Sequence, residues 1–545
     1  MSQLLGFLLS TTIFMLMSWQ PLRADEPVAQ PNSLPSGAVA RFGTSRFLNF
    51  GRAFSVAFSP DGKILAAGGW DGSVRLWKVA GGKELHLFHE QNAPVQALAF
   101  SPDGTVFACA GEGSEIVLRE TATGKEIRRL AGHQGPITVI AFSPDGKLLA
   151  SKGHDRTFRL WDTADGRELR RISSKDSRKE VNNPVCPVAF SRDGRTVTSA
   201  TTSQNAFPGP QQKTFRVWDV ASGAEVRSFP DDSSSNGPYA VSPDNQMLAA
   251  VAGYARGLPP RVNLWDLTSG KTLPPIELAQ GESLSILSYL AFSPDGKTLA
   301  SSGDGPIQLW EVATRRPAAQ FPTQNTGANC LAFSPTGRLL ASGSTDTTAL
   351  LWDVTGRMQN GRLPSATLSS RECQALWDDL GGPEAVKGRR ALWSLVAADG
   401  ASVAFLSTRL HPVASPTSAE AIVKLVGELN SPEYAVRAKA TAQLVQLAEL
   451  AEPALLEAQK DHPSLELRRR VKQLLKAIMD LRTKPTDDRL RAWRAVEVLE
   501  QIDTPQARQL LQTLSRGAAG ALLTREAEAS LARLERRGIP SPPSR

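Results

Sequence analysis

One phrase, Phe-Ser-Pro-Asp-Gly, recurs along the first two thirds of this chain, each time followed by two short apolar runs and a Trp. It stands intact at residues 58–62, 100–104, 142–146 and 292–296, with looser copies at 190–194, 242–245 and 333–337. The closing Trp residues are Trp77, Trp161, Trp218, Trp265, Trp310 and Trp352, and the second copy has Arg119 in that place. Steps between these positions are 42, 42, 57, 47, 45 and 42 residues. A period in this range, with several short strands per unit, predicts repeats that must stack on one another to bury their faces.

The physics of one unit is readable. In Ser-Pro-Asp-Gly, Pro presets φ and Gly accepts a positive φ, which gives a tight hairpin turn. Residues 137–142 before the turn read as a buried strand, 148–151 after it as a second, and 157–161 as a third with alternating faces. A fourth and more polar strand, 168–172, completes the sheet.

These motifs resemble the WD-repeat β-propeller family across roughly residues 40–356. The resemblance implies a seven-bladed ring and, in the best-formed repeats, a buried hydrogen-bonded tetrad of His, Ser or Thr, Asp and Trp. Only the third unit keeps all four, as His133, Ser151, Asp155 and Trp161. The first retains Asp71 and Trp77, and the last Ser342, Asp346 and Trp352. The second has Gly113 and Arg119 in the Asp and Trp places. The family closes its ring by pairing the first strand of the domain with the last blade. Residues 40–48 are placed to do this, leaving no open sheet edge.

The expected organisation is multidomain, β then α. It comprises a signal peptide (1–24), a disordered leader (25–38), the propeller (39–356), a linker (357–366), an all-α region (367–538) and a disordered tail (539–545). In the α region apolar residues recur at helical spacing, as at Val471, Leu474, Leu475, Ile478 and Leu481. Pro383, Pro432, Pro453 and Pro505 stand near helix starts, with Ser431 and Thr504 as N-caps. About ten helices follow from the periodicity. Ala, Leu, Arg and Glu dominate, and the pair 418–429 and 432–450 is similar to HEAT-type repeats. A helical solenoid is the favoured arrangement and a compact bundle the alternative.

Residues 4–17 are apolar yet shorter than the roughly 20 a membrane-spanning helix needs, and Leu22-Arg23-Ala24 precedes the polar Asp25-Glu26-Pro27. The expectation is an exported protein, periplasmic or extracellular, cleaved after Ala24. An uncleaved N-terminal anchor, which would bring the chain to a membrane, is the alternative. Export permits disulfides. Yet Cys109, Cys186 and Cys330 fall in non-neighbouring units and Cys373 in the α region, so buried thiols are expected. The net charge of +8, from 62 basic and 54 acidic residues, is spread along the chain. That argues against a nucleic-acid partner, which calls for a concentrated basic face. The densest basic cluster, Arg468-Arg469-Arg470-Val471-Lys472, reads first as a solvated helix face.

Nothing in the chain spells out catalysis. His86, His89, His133, His154, His411 and His462 make no metal-ligand spacing. There is no nucleophile elbow and no phosphate-cradling loop. No catalytic, metal or cofactor residue is assigned, and His133 is read as structural. The unequal steps are more informative. Extra residues fall at 173–184, 201–213, 230–238 and 252–260, and in a ring of antiparallel blades all four emerge on one face, over blades four and five. Insertions on one face of a repeat protein often mark its binding side. They carry Lys175, Arg178, Lys179, Phe207, Tyr254 and Arg256, among them types enriched at interface hot spots. The function expected is a non-enzymatic scaffold that binds other proteins through this face and a helical second surface. The alternative is a hydrolase or lyase using acids of the channel or top face. Partner identity and oligomeric state are not encoded in any motif.

Overall fold

The computed structural model describes residues 34–43, 53–89, 93–173, 188–204, 211–231, 238–252, 261–267, 270–278, 287–323, 327–344, 348–359, 363–414, 418–458, 464–483, 486–518 and 520–537. From residue 35 onward these form one compact unit. Seven four-stranded antiparallel sheets make the blades of a β-propeller. Blades 1 to 6 span 53–89, 95–131, 137–173, 188–231, 239–277 and 287–321. Blade 7 takes three strands from 328–353 and its fourth from Ala38–Phe42, which pairs antiparallel to Ala349–Asp353 with Ala38 opposite Trp352 and Phe42 opposite Ala349. The ring is thus closed by the N-terminal strand. That strand begins two residues before the expected stretch and stops where Gly43 turns to φ +85°.

The hydrophobic core lies between blades rather than within them. Each propeller cluster joins two neighbours. Ile116, Leu118 and Leu130 of blade 2 meet Ile137, Leu149 and Trp161 of blade 3, and Phe321 of blade 6 meets Trp352 of blade 7. Between blades 4 and 5, Phe215 lies edge-on to Tyr239 with ring centroids 5.1 Å apart.

The repeated phrase does two jobs. Within a blade, Ser59 Oγ donates to Asp61 Oδ1 at 2.6 Å and accepts from the Ile64 amide at 2.9 Å, while Gly62 closes the turn at φ +69°. Between blades, the Gly of blades 1, 2, 3, 4 and 7 sits on the Pro of the blade before, whereas Gly296 of blade 6 faces Ser242: a Cβ on Gly104 would lie 3.3 Å from Pro60, and one on Gly146 equally close to Pro102. Blade 4 has Arg192 instead of this Pro and blade 5 has Asn245 (φ +55°) instead of the Gly. At that junction Thr198 Oγ1 donates to Asn245 Oδ1 at 3.0 Å, so a hydrogen bond replaces the lost contact.

Ten α-helices among the described residues follow, which fits a helical repeat region: α1 (Ser370–Gly381), α2 (Ala385–Ala397), α3 (Asp399–Ser407), α4 (Ala419–Glu428), α5 (Tyr434–Leu447), α6 (Glu452–Glu457), α7 (Leu465–Thr483), α8 (Asp487–Ile502), α9 (Pro505–Ser515) and α10 (Leu522–Arg537). Thr504 caps α9 by accepting from the Ala507 amide, with Pro505 in the first turn. Ser431 instead accepts from the Glu433 amide, in the turn just ahead of Tyr434 where α5 begins. The helices build two cores. One joins α1, α2 and α3 to α8, α9 and α10 through residues such as Leu380, Trp393, Leu499 and Leu511. The other joins α4, α5, α6 and α7 through Ile422, Leu444, Leu455 and Val471. The chain therefore leaves the first core after α3 and returns to it at α8.

Candidate interaction surfaces and the buried tetrad

Antiparallel strands put the Ser-Pro-Asp-Gly turns and the connections into each fourth strand at one end of the blades, and all other connections at the opposite end. The two ends serve different purposes. At the turn end, blades 6 and 7 are covered by the helical region. Arg494 of α8, 1% exposed, makes a forked pair with Glu311 at the end of the blade 6 third strand, Nε to Oε1 and Nη2 to Oε2 both at 2.7 Å. Its remaining nitrogen, Nη1, donates to the carbonyls of Leu380 and Gly382 at 2.6 and 2.8 Å. Such a fork holds two planes in register, which a lysine cannot do. Gly388 makes room for it, since a Cβ there would fall 2.4 Å from the guanidinium.

Lys297, in the blade 6 turn, is 3% exposed. It donates to the Trp493 carbonyl at 3.0 Å, lies 4.6 Å from the Trp493 ring centroid, and pairs with Glu526 at 3.4 Å and Glu497 at 3.9 Å. In blade 7, Arg338 donates from Nε to Gln501 Oε1 at 3.1 Å and Gln501 Nε2 donates to the Thr336 carbonyl at 2.9 Å. Arg389 of α2 donates to the Val354 carbonyl at 2.6 Å. Burial, with the nearby Asp295 carboxylate, pushes the Glu497 carboxyl up to about 8 despite Lys297 and Arg389.

The described strand ends that flank the four insertions are at the opposite end. Lys175, Arg178 and Lys179 (in 174–187), Phe207 (in 205–210), and Tyr254 and Arg256 (in 253–260) lie outside the described residues, so their arrangement carries no geometry here. What is described is the frame around them. The second insertion is partly strand rather than loop: 196–204 and 211–219 pair through to Gln204 opposite Gln211. That blade 4 hairpin therefore projects three residues beyond its six-residue counterparts.

The four residues of blade 3 form a continuous chain. Trp161 Nε1 donates to Ser151 Oγ at 2.8 Å, Ser151 stands 2.8 Å from His133 Nε2, and His133 Nδ1 stands 2.9 Å from Asp155 Oδ2. With the carboxylate accepting at Nδ1, the Ser hydroxyl donates to Nε2. Burial raises the pKa of Asp155, but hydrogen bonds from His133 and the Gln134 and Thr157 amides outweigh it and hold the carboxyl well below its usual range. Ser, His and Asp in this order also describe a nucleophilic triad. Here Ser151 is 0% exposed and its oxygen already accepts from Trp161, so no substrate reaches it. Among the described residues no group of three or more His, Cys, Asp or Glu could hold a metal, and Cys109, Cys330 and Cys373 are buried thiols. Cys186 lies outside the described residues.

Sequence reasoning missed Arg159, which is 1% exposed and joins Asp155 (3.1 Å) to Glu168 of the outer strand. Arg75 with Glu84 and Arg216 with Glu225 repeat it at the same nine-residue separation. An Arg two residues before the Trp and a Glu seven after it was the available signal. In blade 2, Arg119 turns its guanidinium over Phe88 of blade 1, 4.8 Å from the ring centroid, and donates to the Gly124 carbonyl.

Five stretches of the chain, 50–78, 82–118, 124–162, 280–311 and 315–353, match the WD40 family (WD domain, G-beta repeat). The chain carries WD40 repeats. The matched stretches lie on either side of 163–279, which contains the insertions. Similar proteins include Transducin-like enhancer protein 2 of Mus musculus, 30% identical over 29% of this chain and 20% of the relative. Small ribosomal subunit protein RACK1y of Oryza sativa subsp. japonica is 26% identical over 27% of this chain and 43% of its own length. Target of rapamycin complex subunit LST8 of Rattus norvegicus is 29% identical over 26% and 41%. The chain thus spans less than half the length of each of these relatives.

Proposed function

We propose that this protein is a non-enzymatic adaptor that binds another protein through the insertion end of blades 4 and 5, with the helical region as a second surface. The observation that carries this reading is the division of labour between the two ends of the ring. The turn end of blades 6 and 7 is committed to the chain's own helices through Arg494, Lys297 and Arg338. The strand ends joined by the connections that depart most in length from the repeat belong to the other end. Relatives named as a ribosomal subunit protein and as a subunit of a target of rapamycin complex point the same way, since both names describe parts of assemblies. Alanine at Phe207, Tyr254 and Arg256 together, followed by affinity capture from the native compartment, tests it. Loss of partner proteins with an unchanged melting curve supports the reading, and unchanged recovery sinks it.

The same reading places the protein outside the cytoplasm after cleavage near Ala24. Among the described residues no helix is long and apolar enough to cross a membrane, and residues 1–33 lie outside them. Mass spectrometry of the mature N-terminus decides the point. A chain starting at Asp25 fits, and one retaining 1–24 indicates an anchor instead.

A further inference from the structure

We propose that the outer face of α7 is a docking strip for an acidic protein segment tipped with an apolar residue. The proposal rests on the adaptor reading and names the chemistry of its helical surface. Val471, Leu474 and Ile478 bury one side of α7 in the second helical core. On the other side Leu465, Arg468, Arg469, Lys472 and Lys476 follow the i, i+3, i+4, i+7, i+11 spacing of a single stripe, and all five are exposed.

The stripe's charges are unspent. Arg470 on the flank pairs with Glu466 at 2.7 Å, whereas none of Arg468, Arg469, Lys472 and Lys476 has a side-chain partner among the described residues. Two acids border the stripe: Glu466, three residues before Arg469, is paired with Arg470, and Asp480, four residues beyond Lys476, has an interaction of its own. A solvated helix face usually mixes both signs; from Arg468 to Lys476 this helix carries no acid.

The apolar end is the second observation. Leu465 is 82% exposed and Tyr434 72% exposed. Ser464 Oγ donates to Asn430 Oδ1 at 2.5 Å, which fixes the start of α7 against the turn that leads into α5. Tyr434, the first residue of α5, lies over Arg437 with 5.8 Å from guanidinium carbon to ring centroid. Leu465 thus stands at one end of the stripe and four cations run away from it.

Arg468 to Lys476 covers about 12 Å at 1.5 Å per residue, the reach of roughly four residues of extended chain. Nucleic acid is a poorer fit. Four phosphate contacts give weak, salt-sensitive binding, and Leu465 would have nothing to meet. A membrane surface is poorer still, because a helix lying in it needs a whole apolar face turned to the lipid, and that face of α7 is buried in its own core.

Fluorescence anisotropy on the full chain tests the strip. The probe is a fluorescein-labelled peptide of one Leu followed by four Glu, compared with its four-Gln counterpart, a thymidine oligonucleotide and phosphatidylserine vesicles. Saturable binding of the Glu peptide alone is expected, weakened at least tenfold by Lys472→Glu with Lys476→Glu and about threefold by Leu465→Ser. Unchanged affinity in the double variant, absence of saturable binding, or tighter binding of the oligonucleotide or the vesicles overturns the proposal. Alanine at Phe207, Tyr254 and Arg256 leaves peptide binding intact, so failure of the strip and failure of the propeller surface are read separately.

Discussion

The two ends of the ring are built from the same repeat and have opposite fates. At the turn end, where a Ser closes every hairpin and Asp and Gly complete most of them, the surface is regular. It is there that helices of the first helical core have docked, through buried charges placed to within hydrogen-bond distance. At the other end the connections vary in length, and blades 4 and 5 diverge furthest. Regularity offers a fixed platform for a permanent intramolecular contact, and variable loops on a rigid frame are where recognition is usually placed.

The largest effect should come from opening the ring. Deleting Ala38–Phe42 leaves the edge of Ala349–Asp353 unpaired and strips Phe42 from the cluster with Trp77. Loss of cooperative unfolding is expected, and a single transition with an unchanged midpoint would contradict ring closure. Next, Arg494→Ala strands a largely buried Glu311 and two carbonyls. It should cost about 3–5 kcal/mol of helical docking, seen as early cleavage between propeller and helices, and Arg494→Lys should not restore it.

A smaller effect separates blade 3 from blade 2. Ser151→Ala leaves Trp161 and His133 without their shared partner and should cost about 1–3 kcal/mol. Cys109→Ala, at the matching place in blade 2, should cost less in the same melting experiment. The contribution of Asp155 is present above its ordinary pKa of 3.8 and fades as pH falls through the lower folded value.

A separate effect is a pH trend at the docked end. Glu497 keeps its proton up to about 8 when docked and loses it near 4.5 when exposed. Docking therefore weakens as pH rises from about 4.5 to about 8 and is flat beyond. Glu497→Gln should flatten that slope when cleavage between the domains is followed against pH.

How much of this was legible depended on whether the information was local. Turn, strand and Trp signals recur within each unit, so the blades could be counted, and the spare strand before the first unit had one unpaired edge to fill. Helix existence followed from the spacing of residues such as Val471, Leu474 and Ile478. Which helices meet did not: the return of α8 to α1 and α2 joins residues over a hundred positions apart. The same holds for Arg494 and Glu311, each an ordinary charged residue until the fold brings them together. Arg159 was local and readable, but only by comparing the nine-residue Arg-to-Glu spacing across three units.

The division between the two ends is tested most directly by a photo-crosslinking residue placed at Phe207 or, as the counterpart, at Lys63 in the blade 1 turn, which is 78% exposed. The account predicts a crosslinked partner protein from position 207 and none from position 63. Crosslinking confined to position 63 would contradict it.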